Sequence, residues 1–317
     1  MCKVSVVMST YNENIEELTQ SIESILNQTF KEFEFIIILD NPQNQEHIKI
    51  LNEYVNKDIR IKFFINEENI GLAKTLNKGI EIAKCKYIAR MDADDISLPE
   101  RLEKQYNILE NNKDIDIVST NKINIDENGA ELEKSGSLPT EDKEIKRILE
   151  KMSIIVHPSV MFRKDRIEQL GKYREFPASQ DYDLWLRACN ENYKFYIIDE
   201  YLIKYRIRSN NISNKNPLKQ WVIHDYIFKL YKQRMQKVKD NFSIEDLNKY
   251  LQKHKAFDEK EIDKFKNGLT YMQKMKNSIK DKDLFSAICY LLKALTIHRK
   301  MKNVIYNYFV SYVMKNR

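Results

Sequence analysis

The first hundred residues alternate between two hydrophobic periods, which limits the chain to few folds. Short apolar runs bounded by polar turns occupy residues 3–8 and 33–39, a pattern typical of strands buried on both faces. Between them, apolar residues recur at helical spacing. The same cycle continues with predicted strands at 60–65 and 86–91 and predicted helices at 45–55 and 71–83. The alternation indicates an α/β fold, a mostly parallel sheet flanked by helices, whose ligands bind at the carboxyl ends of the strands.

The alternation loosens beyond residue 97, and the chain becomes helical throughout from residue 216. In between we predict strands at 115–119, 159–163, 195–198 and 201–206, a helix at 181–190, and a hairpin over 123–132 that turns at Asn128 and Gly129. Residues 1–215 carry 31 Lys and Arg against 37 Asp and Glu, whereas residues 216–317 carry 22 against 10. These changes predict an α/β domain over 1–215 and a basic α-helical region over 216–317.

The sequence lacks the patterns of export and membrane insertion. The cysteines form no CxxC pair, so we expect unpaired thiols in a reducing cytoplasm at Cys2, Cys85, Cys189 and Cys289. No signal-peptide pattern is present, and no apolar stretch reaches the roughly 18 residues that a membrane span needs. We therefore expect a cytoplasmic protein. No pattern of a nucleic-acid-binding module is present either, so nucleic acid is not an expected partner.

Three aspartates, Asp92, Asp94 and Asp95, follow directly after the predicted strand at 86–91. Carboxylates so close together repel one another unless a cation lies among them. A ligand set made of oxygen alone suits Mg²⁺ or Mn²⁺, which keep coordination positions for substrate phosphates. A loop with helix-capping aspartates is the alternative, but the position at the end of a parallel strand favours a metal site.

This cluster also belongs to a recognisable set of motifs. The segment ARMDADDISLPERLEKQ, residues 89–105, closely resembles the metal-binding region of family 2 inverting glycosyltransferases, which have the GT-A fold. Other segments match the same family in order, namely VSVVMSTYN, SILNQT, NIGLA and QDYDLWLR. The resemblance covers roughly residues 3–213, and an ordered set is more specific than any single motif. It implies transfer of a hexosyl or N-acetylhexosaminyl group from a UDP-sugar to a hydroxyl of a glycan or lipid-linked glycan.

The resemblance implies that the nucleotide base is held at the ends of the first two strands. Thr10, Tyr11, Asn12 and Asp40 would hold it, with Asp40 accepting a hydrogen bond from a uracil N–H. The alternative for Asp40 is a plain turn residue before Pro42. The family usually has a second Asp and a Gly-Ser turn here, and this chain has neither.

The resemblance also implies where the diphosphate and the metal bind. Asp92 would contact the ribose and the metal, and Asp94 would bind the Mn²⁺ or Mg²⁺. Further nucleotide-sugar contacts are implied for Lys74, Arg90, Ala93, His157, Arg206 and Arg208. Surface charge is an equal explanation for Lys74, and a buried structural role is an equal one for His157. Arg208 stands where many relatives have a histidine; it cannot bind a metal, but it can pair with phosphate.

The segment QDYDLWLR resembles the part of the family that carries the catalytic base. We expect Asp181 to take the proton of the acceptor hydroxyl, with Asp183 as the alternative base. An N-cap of the helix at 181–190 is the structural alternative for Asp181. Gln180 replaces the usual glutamate, and Trp185 is interpreted as a core residue rather than a sugar platform.

Two other functions and one further partner follow from the same patterns. A sugar-1-phosphate nucleotidyltransferase would share the sheet and the metal, but it needs a glycine-rich loop after the first strand, and residues 9–14 contain no glycine. A sugar-nucleotide-binding protein without transfer activity is the non-enzyme alternative. The basic C-terminal helices predict either peripheral contact with a membrane or packing against protein.

Overall fold

The computed structural model describes residues 2–208, 216–238, 240 and 242–315, with side chains described as far as residue 310. Within these residues the chain forms two compact units. The first contains residues 2–175 and 183–208, and the second contains residues 176–182 and the described residues from 216 onward. The boundary that the sequence predicts at residue 215 falls outside the described residues.

The first unit is built around a sheet that has nine strands among the described residues. Its strands are β1 (Val4–Thr10), β2 (Phe33–Leu39), β3 (Ile61–Ile65), β4 (Tyr87–Asp92), β5 (Ile96–Ser97), β6 (Ile115–Ile125), β7 (Glu131–Lys134), β8 (Met161–Arg163) and β9 (Lys194–Arg206). The strand order is β3-β2-β1-β4-β8-β6-β9-β5, and β7 pairs with the C-terminal end of β6. The helices that accompany it are α1 (Ile15–Leu26), α2 (Gln45–Lys57), α3 (Leu72–Ile82), α4 (Arg101–Asn111), α5 (Asp142–Leu149), α6 (Lys164–Gln169) and α7 (Gln180–Asn190).

The parallel part of the sheet confirms the α/β prediction. β1 pairs in parallel with β2 and β4, and β2 pairs in parallel with β3. All seven residues of β2 are buried, as expected for a strand covered by helices on both faces. The carboxyl ends of β1, β2 and β4 therefore meet at one edge, where the polar segments after each strand come together.

Three predicted elements differ from the structure in their extent. The two strands expected at 195–198 and 201–206 are one strand, β9, and the strand at 115–119 continues into the hairpin as β6. β6 and β9 pair in parallel with shifts of register around Asn121, so both strands pass an irregularity without ending. The strand expected at 159–163 begins only at Met161, because a short 3-10 helix occupies His157–Ser159.

The expectation of four unpaired cysteines is wrong for two of them. Cys2 and Cys85 form a disulfide with a Cα–Cα distance of 5.9 Å, and Cys189 and Cys289 take no part in it. The reason is the pairing of β1 with β4, in which Val4 lies opposite Tyr87. Each cysteine stands two residues before its member of this pair, and a spacing of 83 residues gives no sign of that proximity.

The second unit is helical, as the sequence predicts. Its described helices are α8 (Pro217–Met235), α9 (Ile244–Lys253), α10 (Glu259–Lys280), α11 (Leu284–Ile297) and α12 (Met301–Lys315). α8 packs against α9 and α10, and α10 packs along α11. Among the described residues, no helix combines the length and the apolar character needed to cross a bilayer.

Candidate active site

The loop after β4 brings three carboxylates together at the carboxyl end of the sheet. Asp92 ends β4, and one oxygen from each of Asp92, Asp94 and Asp95 lies within 4.8 Å of the others. The side chains of Asp92 and Asp94 remain 30% and 23% exposed, whereas Asp95 is buried. The three aspartates singled out in the sequence therefore form one cluster, with two accessible members and one that faces the interior.

The proximity of these carboxylates disfavours their ionised forms. Burial and the neighbouring Asp92 raise the pKa of Asp94 to about 7. Burial, Asp94 and Asp92 raise the pKa of Asp95 well above its usual range. A divalent cation would relieve this repulsion, and an all-oxygen donor set fits Mg²⁺ or Mn²⁺. Asp92 and Asp94 could hold such an ion, while Asp95 accepts a hydrogen bond from the backbone N–H of Arg206 at 2.8 Å.

Two arginines bring positive charge to the cluster. The buried Arg90 pairs with Asp92, and within the described part of the chain its Nε and Nη1 have no hydrogen-bond partner. Arg208 Nη2 lies 3.2 Å from Asp94 Oδ2 and also pairs with Glu17 of α1. The side chain of Arg208 is 26% exposed, so its guanidinium can reach a ligand beside Asp94.

Arg206 is buried and supports the backbone of the loop after β4. Its Nε donates to the carbonyl of Asp94 at 2.8 Å, and its Nη2 donates to Gln20 Oε1 at 2.8 Å. Its Nη1 donates to the carbonyls of Asp126 at 3.1 Å and Glu127 at 2.9 Å. The guanidinium thus fixes the backbone that carries Asp94, and its donors are used within the protein rather than directed toward solvent.

The segment after β1 combines a fixed backbone with an exposed ring. The Thr10 hydroxyl donates to Glu13 Oε2 at 2.6 Å, and the backbone N–H of Tyr11 donates to the same oxygen at 2.7 Å. The Tyr11 side chain is exposed, whereas Thr10 is buried. The Asn12 Oδ1 atom accepts a hydrogen bond from the Asn41 side-chain amide at 2.7 Å, which links the ends of β1 and β2.

Asp40 organises the loop that precedes α3. Its Oδ1 accepts hydrogen bonds from the Asn66 amide at 2.7 Å and from the backbone N–H of Ile70 at 3.0 Å, and its Oδ2 accepts one from the N–H of Gly71 at 2.9 Å. Gly71 has a φ of +83°, a left-handed conformation that favours glycine. Asp40 is therefore buried and fixes the conformation of this loop through three hydrogen bonds.

His157 lies in a small aromatic group. Its Nε2 is 2.9 Å from the Tyr173 hydroxyl, and its ring meets Trp185 edge-on with centroids 6.3 Å apart. Burial and the nearby Arg90 guanidinium lower the pKa of His157 well below its usual range, so the ring is neutral near pH 7. Trp185 is fully buried, which confirms its interpretation as a core residue.

Two further candidates have different environments. Lys74 lies on α3 and its Nζ is 3.1 Å from the Glu175 carboxylate, with both side chains about half exposed. Ala93 is buried between the two accessible aspartates, so it would contribute through its backbone.

The two aspartates of α7 differ sharply in their surroundings. Asp183 is fully buried, and its Oδ2 accepts from Arg174 Nε and from Arg187 Nε, each at 2.9 Å. Asp181 is half-buried in the first turn of the helix. α7 begins at Gln180, so Asp181 is the second residue of the helix.

Three residues that contact the segments of the site were not predicted from the sequence. Glu13, Glu17 and Gln20 each contact a segment named above, and none of them was singled out. Glu17 and Gln20 are three residues apart and share one side of α1, whereas Glu13 precedes the helix. This polar pair near the start of an amphipathic helix was the available signal, because it points to polar partners at the end of the sheet.

Comparison with known proteins decides the family. Residues 5–171 match the family model described as Glycosyl transferase family 2. The chain belongs to glycosyltransferase family 2. This glycosyltransferase is 49% identical to an uncharacterized glycosyltransferase of Methanocaldococcus jannaschii over 66% of its own length and 73% of the relative's. It is also 40% identical to the O-antigen biosynthesis glycosyltransferase WbnJ of Escherichia coli, over 70% of this chain and 86% of WbnJ.

The fold agrees with this assignment. The structure of TarS 1–349 from S. aureus in complex with UDP-GlcNAc matches with a TM-score of 0.58 and 17% identity, over 92% of this chain and 90% of that one. The chain therefore has the GT-A fold, with a helical C-terminal region. Both were expected from the sequence resemblance.

Proposed function

We propose that the protein transfers a sugar from a UDP-sugar to an acceptor hydroxyl with inversion, using a divalent metal at Asp92 and Asp94. The observation that carries the proposal is the carboxylate cluster at the end of β4 in a family 2 glycosyltransferase. The three carboxylates repel one another, which disfavours a purely structural role for the cluster and favours binding of a cation.

Asp181 is the proposed general base. Its carboxylate takes the proton of the acceptor hydroxyl while the acceptor oxygen bonds to the anomeric carbon. The bond between that carbon and the donor phosphate oxygen breaks with its electron pair, and UDP leaves from the opposite face. Asp183 is a poorer candidate, because its charge is already opposed by Arg174 and Arg187.

The departing diphosphate requires positive charge. Bound Mn²⁺ or Mg²⁺ would supply it as a Lewis acid. Arg208 is proposed to add a second cation, since its partly exposed guanidinium lies beside Asp94 and can form a bidentate pair with phosphate. Arg90 orients Asp92, and Arg206 acts as a positioning residue that holds the loop backbone.

The ends of β1 and β2 form the proposed base-binding side. Tyr11 offers an exposed ring for stacking, and Asn12 offers amide groups. Asp40 keeps acceptor capacity on Oδ2 beyond its bond to Gly71, which suits a uracil N–H. Lys74 and the neutral His157 are proposed to contact the donor or acceptor from α3 and the 3-10 helix.

The acceptor is proposed to be a glycan or lipid-linked glycan on the cytoplasmic side of a membrane. Two relatives carry names from polysaccharide assembly, WbnJ and the amylovoran biosynthesis glycosyltransferase AmsE of Erwinia amylovora, the latter at 32% identity. The UDP-GlcNAc bound by TarS supports a UDP-linked donor in the same way.

Release of nucleoside diphosphate from a panel of nucleotide sugars tests this function. We expect release from a UDP-sugar with Mn²⁺ or Mg²⁺, stimulation by acceptor glycans, and loss of activity with a chelator. Asp94→Ala should reduce turnover by at least about a hundredfold, since charge on the leaving group is then uncompensated.

Asp114→Ala is the matched control, because this carboxylate is 83% exposed and pairs only with a surface lysine. Full activity in chelator, or in the Asp94 variant, would contradict the metal assignment. Consumption of a sugar-1-phosphate and nucleoside triphosphate instead would show a nucleotidyltransferase, and binding without release would show a sugar-nucleotide-binding protein.

A further inference from the structure

Helix α11 turns its large apolar side chains outward. Leu284 is 69% exposed, Phe285 79%, Ile288 57% and Leu292 57%. At 100° per residue these four positions lie within one arc of the helix and form a continuous stripe, here called the α11 stripe. The stripe runs along most of the helix from its first residue.

The side of α11 that packs on α10 holds two buried alanines beside larger residues such as Tyr290, whose ring stacks on Tyr271 of α10. Ala287 and Ala294 are the buried residues of this helix, and α11 packs along α10. A helix that only packs on its own protein places its largest apolar residues inward. α11 instead leaves four of its large apolar side chains exposed, and a contiguous exposed apolar surface with a polar rim is characteristic of a binding surface.

The sequence segment that contains the α11 stripe is rich in basic residues. Residues 264–317 contain twelve Lys and Arg against two Asp, a net charge of +10. One of the two acidic residues, Asp283, is occupied as the N-cap of α11, where it accepts from the backbone N–H of Ser286 at 3.0 Å. The exposed cations nearest the stripe in sequence are Lys280, Lys282, Lys293 and Arg299.

An exposed apolar stripe in a positively charged segment favours one kind of partner over another. A second copy of the chain would bring another segment of charge +10 against the first, which repels at moderate salt. A bilayer surface with anionic lipid offers both an apolar interior and negative headgroups. At 14 residues the helix is too short to cross a bilayer, so it would lie in the plane of the surface.

We propose that α11 docks on anionic membranes, with Phe285 and Leu292 entering the acyl boundary and the flanking cations contacting headgroups. The proposal is independent of the sugar and of the catalytic residues. It would place the enzyme at the surface where a lipid-linked acceptor is held.

Flotation of the purified full chain with vesicles tests the docking. We expect binding to phosphatidylcholine vesicles that contain phosphatidylglycerol, weak binding to phosphatidylcholine alone, and loss of binding at high salt. Phe285→Ser combined with Leu292→Ser should weaken binding at least about tenfold, because buried apolar area is lost. Lys280→Glu combined with Lys282→Glu should do the same through charge.

Two controls match these variants. Ile59→Ser changes an apolar residue that is 97% exposed in the first unit, and Lys113→Glu reverses an exposed charge there; neither should alter vesicle binding. Failure of the intact chain to bind anionic vesicles at low salt would overturn the proposal. Undiminished binding of the double serine variant would overturn it too. So would light scattering that finds a dimer which this variant converts to monomer, because the stripe would then join two copies.

Discussion

Two aspartates of α7 that are only two positions apart have different surroundings, and we propose the chemical role for Asp181 alone. Asp183 has no exposed surface and lies between the guanidinium groups of Arg174 and Arg187. Its negative charge balances these arginines, so its loss would leave them uncompensated. Asp181, two positions earlier, is only half-buried.

The asparagine variants of these two residues should therefore fail in different ways. Asp181→Asn keeps the shape but cannot accept the proton, so kcat should fall by roughly 10²–10⁴-fold with donor affinity and thermal midpoint nearly unchanged. Asp183→Asn should cost about 3–5 kcal/mol of stability, because a buried ion pair loses one partner. Kinetics and thermal unfolding of both variants make the comparison. A stable but inactive Asp183→Asn protein, beside an active Asp181→Asn protein, would exchange their roles.

The packing of α3 on β1 depends on one glycine. A Cβ atom added to Gly79 would lie 2.4 Å from Val7 Cγ1, too close for any real contact. Val7 is buried in β1, and its β-branched side chain has little freedom to turn away. The close approach brings α3 against the strand whose carboxyl end carries Thr10.

Gly79→Ala should therefore destabilise the protein by about 1–3 kcal/mol through overpacking. Adding Val7→Ala should recover part of that loss, because the two changes share one contact and are not additive. Gly136→Ala is the control, since a Cβ there meets nothing within 4 Å. Equal unfolding midpoints for the wild type and Gly79→Ala in denaturant would show that the helix can shift at little cost.

The strands of the sheet show which elements the sequence could predict and which it could not. β1, β2 and β4 were predictable because strands buried on both faces leave continuous apolar runs. β9 was divided in two because Asp199 and Glu200 interrupt its apolar pattern. Both side chains are exposed at the point where the register between β9 and β6 shifts. The strand can therefore continue through two polar residues.

The carboxylate cluster was predictable for a local reason, since Asp92 and Asp94 are neighbours in the chain. The contacts that surround it are not local. Glu17 and Arg208 are 191 residues apart, and the disulfide partners are 83 apart. Only the order and register of strands bring such pairs together, and a single sequence does not contain that information in its periodicity.

At the scale of the whole molecule, buried ionisable groups make stability depend on pH in two opposing directions. Burial lowers the pKa of His224 to about 4, and burial is also the largest cause of the lowered pKa values of His157, His254 and His298. The raised pKa of Asp94 acts in the opposite sense, because its folded form binds a proton more readily than the unfolded chain does. Replacing a single histidine isolates that residue's contribution to the pH dependence of stability, because the wild type and the variant contain the same carboxylates.

His224 gives the clearest such test. Its ring stacks on Tyr182 with centroids 4.7 Å apart, and Phe can keep this stacking without titrating. Between pH 6.5 and about 4, His224 is protonated in the unfolded chain but neutral in the folded protein. The free energy of unfolding therefore falls as pH decreases through this window. The stability difference between pH 7 and pH 5 should therefore be about 1–2 kcal/mol smaller in His224→Phe than in the wild type. Urea unfolding at both pH values measures it, and measurements at pH 7 and 8, where protonation of this site changes little in either state, serve as the control. If acidification to pH 5 destabilises the two proteins equally, His224 is not a source of the acid sensitivity.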